Sequence, residues 1–265
     1  IPETTFGFYS EYPGLWTYIN SKLSLSDPKY HPLALELQVA SSFWDLILSA
    51  RTHGFLSSLT SIHIVLDDSQ RGFITEEVLK CIQALLPLVP NLLQFGLEIS
   101  NLPLCHVLEV LFSEPTSLNQ VEVLKLHVHP INAMEEPKVA AACLHSKLQN
   151  MTKLQQLEIN SDSIMLQTFS LPELPELTTF SLDNQIFYYT PQTEMPAFFG
   201  NLMQSVPHLQ RLSVPPLPDK SWLVESTHLL PTGLTHLSLK PDPQQDLRPW
   251  IAALRRFPNL EVLIL

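Results

Sequence analysis

Glycine is scarce in this chain, with seven in 265 residues. Neither GxGxxG nor GxxxxGKS/T occurs, which removes the glycine loops that cradle phosphates. A GxSxG elbow and the family signatures of cysteine nucleophiles are missing too, so nothing marks a Ser, Cys or Thr set beside an activating base. Charge is also sparse, at 15% of residues, and 26 acidic against 15 basic side chains give a formal net charge of -11. Such a surface repels phosphate backbones, and no run of Lys and Arg with interleaved aromatics offsets it, so nucleic acid is not an expected partner. The three cysteines, Cys81, Cys105 and Cys143, are an odd number without CxxC or other zinc spacing, and read as core-facing thiols in a reducing compartment. The lone sequon, Asn150-Met151-Thr152, is no more than chance supplies and does not argue for secretion. No stretch approaches the roughly 20 apolar residues of a membrane span, and the N-terminus lacks a basic region followed by an apolar run. The expectation is a soluble protein, cytoplasmic or nuclear, with no membrane, metal or cofactor.

What is abundant is apolar residues, 45% of the chain, together with 23 prolines. Many of the apolar residues fall into one phrase, apolar-x-x-apolar-x-apolar. It recurs eight times, starting at Leu59, Leu92, Val121, Leu154, Leu177, Leu209, Leu234 and Leu260. The phrases read LTSIHI, LLQFGL, VEVLKL, LQQLEI, LTTFSL, LQRLSV, LTHLSL and LEVLIL, at intervals of 23 to 33 residues. This spacing overlaps the period of leucine-rich repeats, and its unevenness implies convex segments of unequal length. The fourth and sixth positions are apolar and the third and fifth mostly polar, which is the alternation of a half-buried strand. Helical spacing fills several intervals, over residues 75–88, 139–151, 196–206 and 247–257. Thr75 is placed to cap the first of these, with Glu76 and Glu77 in its first turn. Three intervals end in LVPNLLQF, SVPHLQRL and RFPNLEVL, where Pro90, Pro207 and Pro258 stop a helix before the next strand. Shorter intervals such as LPELPELTTF use proline-rich extended chain instead. The fold class expected is α/β: a leucine-rich-repeat solenoid with a parallel sheet on the concave face and helices or extended segments on the convex face. Asp67, Asp162 and Asp242 stand at the ninth position, where such repeats usually carry Asn or Cys, a departure from the regular subfamilies.

Ahead of the repeats, YPGLWTYINSKLSL carries Pro13, Leu15 and Trp16, and HPLALELQV carries Pro32, Leu33, Leu35 and Leu37. This pairing resembles fungal F-box proteins with leucine-rich repeats, in which a P-x-LW motif follows the F-box and a PL-x-L-x-L segment leads into the solenoid. The resemblance implies two regions: residues 1–40, a post-F-box-like segment and first strands capping the solenoid, and residues 41–265, an irregular solenoid of about eight repeats. It implies a non-enzymatic substrate receptor of a ubiquitin ligase. The F-box would dock on a cullin-ligase adaptor while the repeats hold the protein to be ubiquitinated. No F-box is visible here, so the expectation is that it precedes Ile1. The other reading is a leucine-rich-repeat scaffold or sensor unrelated to ubiquitin.

In a parallel-strand solenoid the third, fifth and seventh positions of each phrase project from the concave face. The candidate protein-binding residues there are His63, Glu98, Lys125, His127, Glu158, Asn160, Asp183, Arg211, His236 and Lys240. Glu98, Glu158 and Asp183 make the middle weakly acidic, and Arg211 and Lys240 bring positive charge towards the C-terminal end. His127 and His129 share a strand face but lack a visible third ligand, so they read as polar surface residues. Phe198, Phe199 and Met203 have the spacing of a packed helix face. In the last phrase Val262 and Ile264 stand where other rungs are polar, which implies further chain after Leu265 or an oligomeric contact over that end.

Overall fold

The computed structural model describes residues 5–8, 34–38, 59–67, 76–100, 102–113, 118–129, 137–161, 170–183, 200–202, 204–214, 229–239 and 254–264. Within them, each of seven strand phrases is preceded by the same tight turn. The amide of the residue that opens the phrase donates to the carbonyl three residues back: Leu92 to Val89, Val121 to Leu118, Leu154 to Met151, Leu177 to Leu174, Leu209 to Val206, Leu234 to Pro231 and Leu260 to Phe257, at 3.0 to 3.2 Å between N and O. Pro90, Pro175, Pro207 and Pro258 take the second position of four of these turns, where a fixed φ near -65° is already the right one. The sequence reading of Pro90, Pro207 and Pro258 as helix stops is thus only part of their role. They also form the corner from which the strand starts.

From the corner the chain enters one ten-stranded sheet, in sequential order and parallel throughout. The strands are β1 (Thr5–Phe8), β2 (Ala34–Gln38), β3 (Ser61–Asp67), β4 (Gln94–Ser100), β5 (Val123–His129), β6 (Gln156–Ser161), β7 (Thr179–Asp183), β8 (Arg211–Val214), β9 (His236–Leu239) and β10 (Val262–Ile264). A backbone clasp repeats at the start of the strands from β3 onward. The carbonyl of the second phrase residue accepts two amides from the next repeat: Thr60 from Leu93 and Gln94, Glu122 from Gln155 and Gln156, Thr235 from Glu261 and Val262. Since every carbonyl oxygen has two lone pairs, one atom serves two orphan donors. The clasp sets the register for the rest of the strand.

That register stacks like positions on like. The fourth phrase residues Ile62, Phe95, Leu124, Leu157, Phe180, Leu212 and Leu237 form one buried ladder, and Ile64, Leu97, Leu126, Ile159, Leu182 and Val214 a second. Behind them pack α1 (Glu76–Leu85), continued by a 3-10 turn over Leu86–Leu88, α2 (Leu104–Leu111) and α3 (Pro137–Leu148). α2 buries Leu104, Val107, Leu108 and Leu111, the i, i+3, i+4, i+7 stripe of an amphipathic helix. Phe112 then meets Phe95 edge to face at 5.7 Å between ring centroids. α2 lies between α1 and α3, and Lys147 of α3 donates to the Phe112 carbonyl just past the end of α2, at 3.2 Å.

The expected helices at 75–88 and 139–151 thus correspond to α1 with its 3-10 turn and to α3, each with shifted ends. Residues 200–202 and 204–205 are helical, inside the third expected span, whereas most of the fourth lies outside the described residues, as do Thr75, Phe198, Phe199, Met203, Asp162 and Asp242. So do Pro13, Leu15, Trp16, Pro32 and Leu33; β2 comprises the following ALELQ. At the other end, among the described residues, β10 pairs with β9 alone. Its core-register residue Leu263 is 38% exposed, against 0% for Leu157 at the same position in β6. Among the described residues no helix is long and apolar enough to cross a membrane.

Candidate functional site

The sheet register assembles the concave face as continuous rows. Ser61, Gln94, Val123, Gln156, Thr179, Arg211, His236 and Val262 form the first row. His63, Gly96, Lys125, Glu158, Ser181, Ser213, Ser238 and Ile264 form the second, and Val65, Glu98, His127, Asn160 and Asp183 the third. The candidate binding residues of β3 to β9 therefore lie on a common frame. Lys240 is outside the described residues, and Asp183 is placed by its backbone, opposite Asn160.

Contacts within this face link three of the candidates. Glu158 Oε2 lies 3.4 Å from Lys125 Nζ, its neighbour along the second row. The other oxygen, Oε1, lies 3.3 Å from His127 Nε2, one row over. One carboxylate thus bridges two side chains of the adjacent strand. The acidic centre read from the sequence is modified accordingly, because the Glu158 charge is answered inside the groove. Lys125 and Arg211 are exposed, and His63, Glu98, Asn160 and His236 are half-buried. His236 Nδ1 lies 2.9 Å from Thr235 Oγ1, whose hydroxyl donates to the Gln210 carbonyl at 3.2 Å.

A second feature of the face lies in the phrase LLQFGL. Gly96 stands where the other phrases carry a side chain, and the His63 imidazole fills that space, with Cδ2 2.9 Å from where a Cβ on residue 96 would be. The missing side chain on β4 is what lets the ring lean across.

His127 and His129 are not part of any three-ligand grouping among the described residues. On the helix side, Cys143 packs against the core as expected, whereas Cys105 is not among the residues packed there. Each is only partly buried, because α2 and α3 turn their apolar stripes to the sheet and carry these two residues towards the seam between the helices. Also on this side, His145 Nδ1 lies 2.8 Å from the Ser170 carbonyl and its Nε2 lies 3.2 Å from Gln149 Nε2. Leu171, Pro172, Glu173 and Ser205 complete an open cleft around His145. The Ser170 hydroxyl oxygen also lies 3.2 Å from His145 Nδ1.

No protein-family model and no curated protein matches the sequence. Solved structures do. A chain from the yeast Rad7 and Elc1 complex superposes with a TM-score of 0.52 at 15% identity, over 92% of this chain and 58% of that one. This chain therefore spans less than two thirds of that neighbour. The leucine-rich repeat-containing protein LegL7 from Legionella pneumophila superposes with a TM-score of 0.50 at 14% identity, over 98% of this chain and 89% of that one. With parallel strands in sequential order, uniform stacking of phrase positions and these neighbours, the fold is that of a leucine-rich-repeat solenoid.

Proposed function

We propose that this chain is a non-enzymatic protein-binding solenoid that holds a partner protein on its concave face, as the substrate-recognition region of an F-box type ubiquitin-ligase receptor. The observation that carries the binding reading is the continuous register of two mostly polar rows across β3 to β9. A curved sheet with a buried back and a polar, side-chain-rich front is a surface whose specificity is set by the residues grafted on it. A structural neighbour crystallised as a complex with a second protein, which supports a partner-binding role. The ligase half rests on Pro13, Leu15 and Trp16 and on the PL-x-L-x-L text around Leu35 and Leu37, and on the resemblance these carry. The cullin-ligase adaptor would be engaged through an F-box upstream of Ile1, and the substrate through the groove.

Affinity purification of the full-length open reading frame, extended upstream of Ile1, with mass spectrometry of the recovered proteins, tests both halves. Recovery of the cullin adaptor is the expected result. Reversing Glu158 and Asp183 together should then release specific partners while the adaptor stays bound. Recovery of other partners at good yield without the adaptor would overturn the ligase half and leave a leucine-rich-repeat scaffold or sensor. Unchanged recovery of every partner by the charge-reversed protein would overturn the groove.

A further inference from the structure

Two thiols and a carboxylate meet on the helix side of the sheet. Cys105 and Glu109 are four residues apart on α2, hence on one face, a turn from each other. Cys143 comes from α3, which packs against α2. Cys105 Sγ lies 3.6 Å from Glu109 Oε1, and Cys143 Sγ donates to the Cys105 carbonyl at 3.7 Å. The two sulfurs and a carboxylate oxygen all lie within 4.8 Å of one another. We propose that Cys105, Glu109 and Cys143 bind one zinc-like divalent cation, which clamps α2 to α3.

The geometry is close to what such an ion requires. A tetrahedral centre with sulfur at about 2.3 Å and oxygen at about 2.0 Å has ligand-to-ligand edges of roughly 3.5 to 3.8 Å. The edge from Cys105 to Glu109 already has that length, and side-chain rotation closes the rest. Two thiolates with one carboxylate are a soft donor set, which selects zinc over magnesium or calcium. Both cysteines are only partly buried and Glu109 is exposed, so solvent can reach the fourth position.

Without a cation Cys105 holds its proton more tightly than an ordinary thiol. Burial, the hydrogen bond and charge of Cys143, and the Glu109 carboxylate push the Cys105 thiol up to about 12. Each of these costs falls on the thiolate, and a divalent cation between the three donors reverses the electrostatic part. Binding expels the proton of each thiol, Cys–SH + Zn²⁺ giving Cys–S–Zn⁺ + H⁺ at the first sulfur and the same loss at the second. Affinity therefore rises with pH, by up to about a hundredfold per unit when two protons leave.

The test is a cobalt titration of the whole 265-residue chain, reduced with a phosphine and stripped of metal. Expected are sulfur-to-cobalt charge-transfer absorption saturating at one equivalent, its displacement by zinc, and its persistence in Cys81→Ser. Cys143→Ser should abolish the band, and Glu109→Gln should weaken cobalt binding tenfold or more. A second readout needs no variant: zinc should slow alkylation of both Cys105 and Cys143 in the native protein, resolved by peptide mass spectrometry. Absence of the charge-transfer band, its dependence on Cys81, or alkylation unaffected by zinc would overturn the site. Conversion of the pair to a disulfide by mild oxidant, with no metal binding by the reduced protein, would overturn it equally.

Discussion

The imidazole of His63 occupies the space that a side chain on Gly96 would fill, with Cγ 3.1 Å and Cβ 3.4 Å from the position of the absent Cβ. These atoms are near the root of the His63 side chain, so a small shift of the ring tip cannot make room. Gly96→Ala has two opposing effects. It lowers the entropy of the unfolded chain, worth roughly 0.5 to 1 kcal/mol in favour of folding, and it forces His63 out of its rotamer, an overpacking cost of about 1 to 3 kcal/mol. The clash should win, leaving the variant about 1 kcal/mol less stable in urea denaturation. In a His63→Ala background the clash is gone and the same change should be neutral or stabilising. Equal effects in both backgrounds would mean that the two residues do not couple.

Glu158 meets two cationic or donor groups, but its side chain is 30% exposed and those of His127 and Lys125 are 32% and 50% exposed. Solvent screens pairs of this kind, and each contributes less than about 1 kcal/mol. Glu158→Gln should therefore shift the denaturation midpoint slightly, and the shift should shrink in high salt. A loss above about 2 kcal/mol would show that the bridge is better shielded than its exposure implies. Against this small structural effect, a marked fall in partner affinity for the same variant would be assignable to the groove.

The stacking of positions was legible because it needs only a short phrase. Eight starting residues from Leu59 to Leu260 define the register, and the paired rows of β3 to β10 follow it residue for residue. Side-chain partners were not legible in the same way. Glu158 is 33 residues from Lys125, and no local spacing rule says which of its row neighbours a carboxylate will reach. Cys105 and Cys143 lie 38 residues apart on helices whose relative rotation depends on Leu108, Ala140 and Leu144 packing on the sheet. Cysteine spacing along the chain holds no trace of that rotation. The two-amide clasp on Thr60 and its equivalents was invisible for another reason, since backbone groups make it and it leaves no residue signature.

The value of a core position should depend on where it stands in the solenoid. Leu157 is fully buried in β6 between Leu124 and Phe180 on its neighbouring strands, whereas Leu263 at the corresponding place in β10 is 38% exposed. Leu157→Ala removes buried methyl groups and leaves a cavity, for a loss of about 2 to 5 kcal/mol. Leu263→Ala creates no closed cavity and should cost less than about 1 kcal/mol. Thermal or urea unfolding of the pair decides this. Comparable losses would indicate that Leu263 is covered in solution, by a second copy or by other chain.

Cys105 links stability to alkaline pH. Its thiol is pushed up to about 12, from an ordinary value of 9.0, first by burial and then by Cys143 and Glu109. A raised value means that the folded chain binds this proton more tightly than the unfolded chain does. Below pH 9 both states hold it and the group adds no pH dependence. Between pH 9 and 12 the unfolded chain loses the proton while the folded chain keeps it, so this contribution to stability declines as pH rises through that window. Metal-free Cys105→Ser protein should lack that decline, and the difference between the two denaturation curves isolates the residue. In the same window the native thiol should react with iodoacetamide more slowly than Cys105 of the urea-unfolded chain, since only the thiolate is nucleophilic. Equal rates in the two states at pH 9 would mean that the Cys143 and Glu109 neighbours do not hold the proton in solution.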